Sequence, residues 1–130
     1  MHLVLALVIS AVATSFSDWL CFGVLFHQRY QAFPEVWRRT GDPTGEQRAL
    51  IQVSLISMLT PVAFVLGCSW LGVFGVRAFA LAGLLWVMIP LPLLIGNHLY
   101  IKLHPLILLS HGLGWLSKLM VGALVVCCLL

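Results

Sequence analysis

Charged residues are scarce in this chain. They make up 8% of its 130 residues, while 62% are hydrophobic. An average soluble domain has about 25% charged residues. A water-soluble fold of this length could not bury so much apolar surface, so we expect a lipid bilayer as its solvent. The seven basic and four acidic residues give a formal charge of +3. Because most of the basic residues flank apolar runs and form no basic face, we predict no nucleic-acid partner.

The usual metal-binding spacings are also missing. No Cys-x-x-Cys pair occurs, and no two histidines are three or four residues apart. His104 and His111 are separated by seven residues, about 10 Å along a helix, which is too far to share one ion. We therefore predict no metal ion and no cofactor. The four cysteines are expected to be small buried apolar residues: Cys21, Cys68, Cys127 and Cys128.

Four apolar runs have about the length that a membrane-spanning helix needs. They cover residues 3–26, 46–73, 77–101 and 105–129. Backbone groups in lipid must find partners within their own segment, so these runs are predicted to be helices. We expect one all-α integral membrane domain over residues 1–130, with four transmembrane helices.

The connections and breaks have recognisable local signals. The stretch HQRYQAFPEVWRR between runs one and two mixes aromatic and basic residues, which is typical of a short amphipathic segment at the membrane interface. Pro105 follows His104 at a position suited to the first turn of a helix. Pro61, Pro90 and Pro92 are expected to interrupt their helices, because proline lacks the N–H that the ladder needs.

The basic residues predict an orientation. All but two of them lie in the connections after runs one and three: Arg29, Arg38, Arg39, Arg48 and Lys102. The opposite side has Arg77 alone. The positive-inside rule places the first set in the cytoplasm, so both chain ends face outward. A bacterial inner membrane is the expected location.

Two charged residues lie inside the apolar runs, away from the first and last turns: Asp18 and Lys118. Such residues are costly in lipid and usually face the interior of a bundle. Asp18 belongs to a polar stripe at three- and four-residue steps, formed with Ser10, Thr14, Ser17 and Cys21. In the fourth run His104, His111 and Lys118 are seven apart and share one face, which we expect to turn inward. Small residues flank this face: Ser110, Gly114, Ser117 and Gly122.

Depth predicts which polar groups meet. Counted from the cytoplasmic ends of the helices, Asp18 lies about 12 Å deep and His111 about 10 Å. Asn97 and His98 lie about 6–8 Å deep, whereas Lys118 at about 21 Å would have to reach back toward Asp18. A ligand-binding centre is therefore predicted from Asp18, Asn97, His98, His111 and Lys118.

These residues leave three functions open. The first is a non-catalytic accessory or ligand-binding bundle, either a homo-oligomer or a subunit of a membrane complex. The second is a small proton-coupled transporter that uses Asp18, His111 and Lys118. The third is a membrane enzyme acting on a lipophilic substrate, with Asp18, His98 and His111 as acid and base groups.

Two segments carry a resemblance to a known family: DWLCFGVLFHQRYQAF in the first run and LLSHGLGWLSKLMVGALV in the fourth. The relevant positions are Gly23-Val24-Leu25-Phe26, Trp37, Gly114-Trp115 and Met120-Val121-Gly122-Ala123. In these the chain resembles the small bacterial four-helix membrane proteins that carry the domain of unknown function numbered 1761. It departs from them at Asp18 and Cys21, where an aromatic and a small residue are expected. The resemblance implies a four-helix fold and no activity.

Overall fold

A computed structural model describes residues 2–26, 28–29, 43–101 and 103–130, with side chains left undescribed at 43–47, 49 and 50. The structure is 90% helical, and the described residues contain no strand. Four helical stretches are long and apolar enough to cross a membrane, which confirms the predicted all-α four-helix membrane fold. Most of the predicted interfacial segment lies in residues 30–42, outside the described part of the chain.

The candidate spans cover His2–Leu25, Ile51–Leu71, Val76–Tyr100 and Pro105–Leu129. The first consists of α1, His2–Asp18, and a π-helical segment, Trp19–Leu25. The second begins within α2, Pro43–Ser57, and continues through α3, Leu59–Leu71. The third is made of α4, Val76–Met88, and α5, Pro90–Tyr100, and the fourth is α6, Pro105–Leu129.

Prolines divide the second and third spans, as the sequence predicts. The second span breaks at Met58, one turn before Pro61, and the third breaks at Ile89, next to Pro90. Each proline lacks the N–H that would donate to the carbonyl four residues earlier. The carbonyl of Ser57 therefore has no donor from the nitrogen of Pro61. This break becomes important because Ser57 belongs to the polar centre described below.

The helix ends follow local chemistry. Pro105 is the first residue of α6, and the Nδ1 atom of His104 accepts a hydrogen bond of 3.1 Å from the Leu106 N–H. At the other end of the bundle, Gly72 terminates α3 with a φ of 67°. Glycine suits this left-handed conformation, and the Val73 N–H closes the turn on the Cys68 carbonyl at 2.9 Å.

The fourth span is the centre of the bundle. Helix α6 packs against α1, α3, α4 and α5. Close approach depends on its glycines: a Cβ atom on Gly114 would lie 3.0 Å from Phe22, and one on Gly122 would lie 3.0 Å from Phe64. Each glycine thus receives an aromatic ring from a neighbouring span, which is the small-residue packing typical of helices in lipid.

Packing differs between the two halves of the bundle. The buried apolar core joins the beginnings of spans one and three to the ends of spans two and four: Ala6, Phe64, Val65, Cys68, Ala78, Ala82, Leu119, Ala123, Val125 and Val126. The other half, where span one ends and span four begins, is called the basic side here. Residues 51–56 of α2 are all exposed on that side. The polar centre lies where the packed half meets this open half.

Candidate functional site

An ion pair joins the first and fourth spans. The Nζ atom of Lys118 lies 3.0 Å from Oδ2 of Asp18, and the two side chains are only 11% and 17% exposed. Asp18 is the last residue of α1 before the π-helical segment, and Lys118 lies near the middle of α6. Both intramembrane charges are thus neutralised by each other, well away from the ends of their spans.

Ser57 of the second span joins this ion pair. Asp18, Lys118 and Ser57 together are called the polar centre here. Its hydroxyl donates a hydrogen bond of 2.5 Å to Oδ2 of Asp18 and accepts one from the ammonium of Lys118. Three spans therefore meet at one carboxylate oxygen. Ser57 is the last residue of α2, directly before the break at Met58.

A second polar contact lies next to the ion pair. The hydroxyl of Ser17 donates to that of Ser117 at 3.0 Å, and Ser117 in turn donates to the Gly114 carbonyl at 2.9 Å. This chain of bonds fixes the register of α1 against α6. It places the end of α1 at the level of residues 117 and 118.

Two buried oxygen atoms next to the centre have no hydrogen-bond partner among the described residues. They are Oδ1 of Asp18 and Oγ1 of Thr14, whose residue is 1% exposed. The two residues are four apart in one helical stretch, so their side chains lie on the same face one turn apart. Buried polar atoms nearly always find a partner in a protein or in bound solvent. These two oxygens are therefore the unsatisfied polar atoms of the centre among the described side chains.

Aromatic rings border the centre toward the basic side. The ring of Phe22 lies 5.2 Å from that of His111, measured between centroids. The Trp115 ring has its centroid 5.7 Å from Nζ of Lys118, within the usual range of a cation–π contact. His111 is exposed on its other side. Among the described side chains, the ammonium therefore contacts Asp18, Ser57 and Trp115.

The other predicted residues lie in the hairpin between spans three and four. Nδ1 of His98 is 2.5 Å from the Leu103 carbonyl oxygen, across the connection. The backbone carbonyl of Asn97 accepts from Ile101 at 2.9 Å. Among the described residues, no hydrogen bond or ion pair links His98 or Asn97 to the polar centre. Their hydrogen bonds stabilise the connection between spans three and four.

The geometry differs from the sequence prediction in two respects. Asp18 pairs with Lys118, which was expected to reach back toward it, but no hydrogen bond or ion pair joins Asp18 to His111 among the described side chains. The face of α6 that carries His111 and Lys118 does not turn inward along its whole length. His111 is exposed, whereas Lys118 is mostly buried. The reason is the open half of the bundle: α2 packs against α1 and α3 and leaves the face of α6 around His111 uncovered.

Ser57 is the residue that the prediction missed. A signal for it was present, since Ser57 stands four residues before Pro61 and its carbonyl must lose a helical donor. No group of three or more His, Cys, Asp or Glu side chains that could hold a metal occurs in the part of the chain that was described.

Comparison of the chain with protein-family models, with curated proteins and with solved structures found no match. The resemblance to the family of domain 1761 therefore stays a prediction. The chemistry of the centre has to be judged from its own contacts, burial and charges.

Proposed function

We propose that this small multi-pass protein is a non-catalytic, ligand-binding bundle that serves as an accessory subunit in a membrane assembly. The assembly would lie in a bacterial inner membrane, with both chain ends outside. The main support is the polar centre: a neutral ion pair closed by Ser57, beside two buried oxygens that lack partners.

Binding fits this centre better than catalysis. Oδ2 of Asp18 accepts from Lys118 and Ser57, so the carboxylate and the ammonium neutralise each other within the bundle. His98 is held by the Leu103 carbonyl in the hairpin. An enzyme that used Asp18, His98 and His111 together would need them at one substrate, and no hydrogen bond or ion pair links the three among the described side chains.

Polar side chains on the outer surface support an assembly. Gln52 and Ser54 of α2 and His111 of α6 are exposed, although all three lie within candidate spans. Lipid tails offer no hydrogen-bond partner, so exposed polar groups in a span are best satisfied by another helix or by a second copy of the chain. This favours a homo-oligomer or a subunit of a larger complex.

A small proton-coupled transporter is the second candidate. Its support is the position of the ion pair within spans one and four, with His111 two turns away on α6 toward the basic side. Ionisable groups inside a span frequently belong to a transport path. Asp18→Asn should then abolish a proton flux in reconstituted vesicles, whereas an accessory bundle would show no such flux at any pH.

Native mass spectrometry from a mild detergent tests the main proposal. The wild-type protein should retain a second copy, a partner chain or a small ligand. The double variant Asp18→Asn/Lys118→Gln stays neutral at the centre, and it should lose a bound ligand yet keep a bound subunit. Gln52→Ala/His111→Ala should weaken the subunit contact, while the exposed apolar control Leu84→Ala should not. A bare monomer in every sample would contradict the proposal.

A further inference from the structure

The basic side of the bundle combines a bare helix with an uncovered helix face. Residues 51–56 of α2 are all exposed, whereas a helix in a packed bundle buries at least one side. On the same side of the molecule, α2 leaves the face of α6 around His111 uncovered. Within the part that the structure describes, one chain therefore presents both a helix that needs a packing surface and a surface that needs a helix.

Gln52 of α2 points away from its own bundle. It stands five residues before Ser57, whose hydroxyl bonds to Asp18 and Lys118. At about 3.6 residues per turn, five residues rotate a side chain by about 140°, so the Gln52 side chain leaves α2 nearly opposite the polar centre. Gln52 is exposed within a candidate span, where lipid tails offer no hydrogen-bond partner. A partner for its amide inside the span therefore has to come from another molecule.

His111 lies at a depth that suits this amide. Counted from the contact between Ser57 and Lys118, Gln52 lies about 7 Å toward the basic side along α2, and His111 lies about 10 Å in the same direction along α6. Two copies inserted with the same orientation have equal groups at equal depths in the bilayer. The remaining difference of about 3 Å is within the reach of a glutamine side chain.

The two side chains are also complementary in chemistry. The amide of Gln52 has both donors and an acceptor, and a neutral imidazole has one of each. A hydrogen bond between Gln52 and His111 can therefore form with either ring nitrogen carrying the proton. Because neither group has to be charged, the contact does not bring an uncompensated charge into the membrane.

Resting on the proposed accessory role and naming its partner, we propose that a second copy of this chain occupies the open half of the bundle. Helix α2 of each protomer lies against the His111 face of the other protomer's α6, and Gln52 bonds to His111 across the interface. This interface is isologous, so each contact occurs twice and the assembly closes at two copies. A different chain would have to supply both a helix and a matching face, and a second copy supplies both. The exposed apolar residues of α2 add packing: Ile51, Val53, Leu55 and Ile56.

Disulfide cross-linking in native membranes tests this interface. Gln52→Cys and His111→Cys are placed on two co-expressed copies with different affinity tags, in a background in which the four native cysteines are replaced by serine or alanine. Mild oxidation with copper phenanthroline should give a mixed dimer. Leu93→Cys is the matched control for His111→Cys, because Leu93 is exposed on α5 about as far from the basic end of its span as His111 is from that of α6. Paired with Gln52→Cys, it should give only the cross-linking of random collisions.

A second measurement keeps the native cysteines. Energy transfer between copies labelled at the N-terminus, followed as the vesicles are diluted with lipid, gives the dissociation constant of the dimer. Gln52→Ala removes both symmetry-related hydrogen bonds, so it should weaken dimerisation about tenfold, as expected for two interhelical bonds of modest strength. Leu93→Ala should leave the dissociation constant unchanged.

Absence of the mixed dimer, or equal cross-linking of Gln52→Cys with Leu93→Cys, would overturn the second copy as the occupant. Equal dissociation constants for wild type and Gln52→Ala would overturn the bond between Gln52 and His111. Native mass spectrometry tests the accessory role separately. A different chain or a ligand retained there would leave that role standing without the dimer, whereas a bare monomer would contradict the role itself.

Discussion

At the scale of single residues, the ion pair has to be judged by what its loss would cost. A lone charge in the middle of a span costs about 2.5–3.5 kcal/mol even on insertion scales. Asp18 and Lys118 each cancel this cost for the other, and Ser57 supplies a hydrogen bond to both. The pair therefore contributes chiefly by avoiding an uncompensated charge, and it fixes which faces of spans one, two and four meet.

Ser57→Ala should destabilise the protein by about 1.5–3 kcal/mol, the usual range for a hydrogen bond to a charged group. The substitution removes the hydroxyl that donates to Asp18 and accepts from Lys118. Reversible unfolding in mixed micelles measures the change. Ser54→Ala is the matched control, because Ser54 is exposed on the same helix. Equal stability of the two variants would show that the Ser57 hydroxyl does not take part in the centre.

At the scale of helices, the register of the bundle depends on glycines in α6 that receive aromatic rings. Gly114 takes the ring of Phe22 and Gly122 takes that of Phe64. Because each ring packs directly against a glycine of α6, a shift of either neighbouring span along α6 would break that ring–glycine contact. This register brings the end of α1 to the level of Lys118.

Gly122→Ala should cost about 1–3 kcal/mol, because the new methyl group would lie 3.0 Å from the Phe64 ring in the packed half of the bundle. Gly83→Ala is the control, since a Cβ atom there meets nothing within 4 Å. In the interior of a helix it should be neutral or slightly stabilising. Unfolding of the two variants under the same conditions gives the comparison, and a loss at both positions would point to a general effect of alanine instead of the Phe64 contact.

The helices were more predictable than their relative depths. Apolar length gave the four spans, and the prolines gave the breaks at Met58 and Ile89. Depth counting placed Asp18 level with His111, because it assumed that the end of span one and the beginning of span four lie in a common plane. The real level is set by Phe22 against Gly114 and by Ser17 against Ser117, and such contacts between distant residues leave no periodic signal in a single sequence.

Exposure was less predictable still. Inward orientation of His111 followed from the cost of polar groups in lipid, but α2 does not cover that face of α6 in a single chain. Two of the cysteines also differ from the expectation of buried apolar residues, since Cys127 and Cys128 are exposed. Burial depends on how many helices surround a position, which hydrophobicity alone does not specify.

At the scale of the whole molecule, the packed half and the open half have different roles in our account. The packed half holds the core and gives the bundle its stability. The open half leaves α2 and the His111 face of α6 available on the basic side. A ligand or a partner helix would reach the polar centre from that side, which is why the orientation in the membrane matters for function.

The proposed orientation predicts where thiol reagents react. Cys127 and Cys128 are exposed near the end of α6, whereas Cys68 is buried in the core. In intact spheroplasts, a membrane-impermeant maleimide should label the terminal pair, and Cys127→Ser/Cys128→Ser should remove the label. Labelling that requires lysis of the cells would place the end of α6 in the cytoplasm and reverse the proposed topology.

A double-mutant cycle on Asp18 and Lys118 tests the central claim most directly. Asp18→Asn and Lys118→Gln each leave one charge uncompensated, so each should cost about 3 kcal/mol or more, while the double variant removes both charges and should cost clearly less than their sum. Unfolding free energies of the four proteins give the coupling energy. We predict a favourable coupling of at least about 1.5 kcal/mol, and additive losses with no coupling would contradict the account.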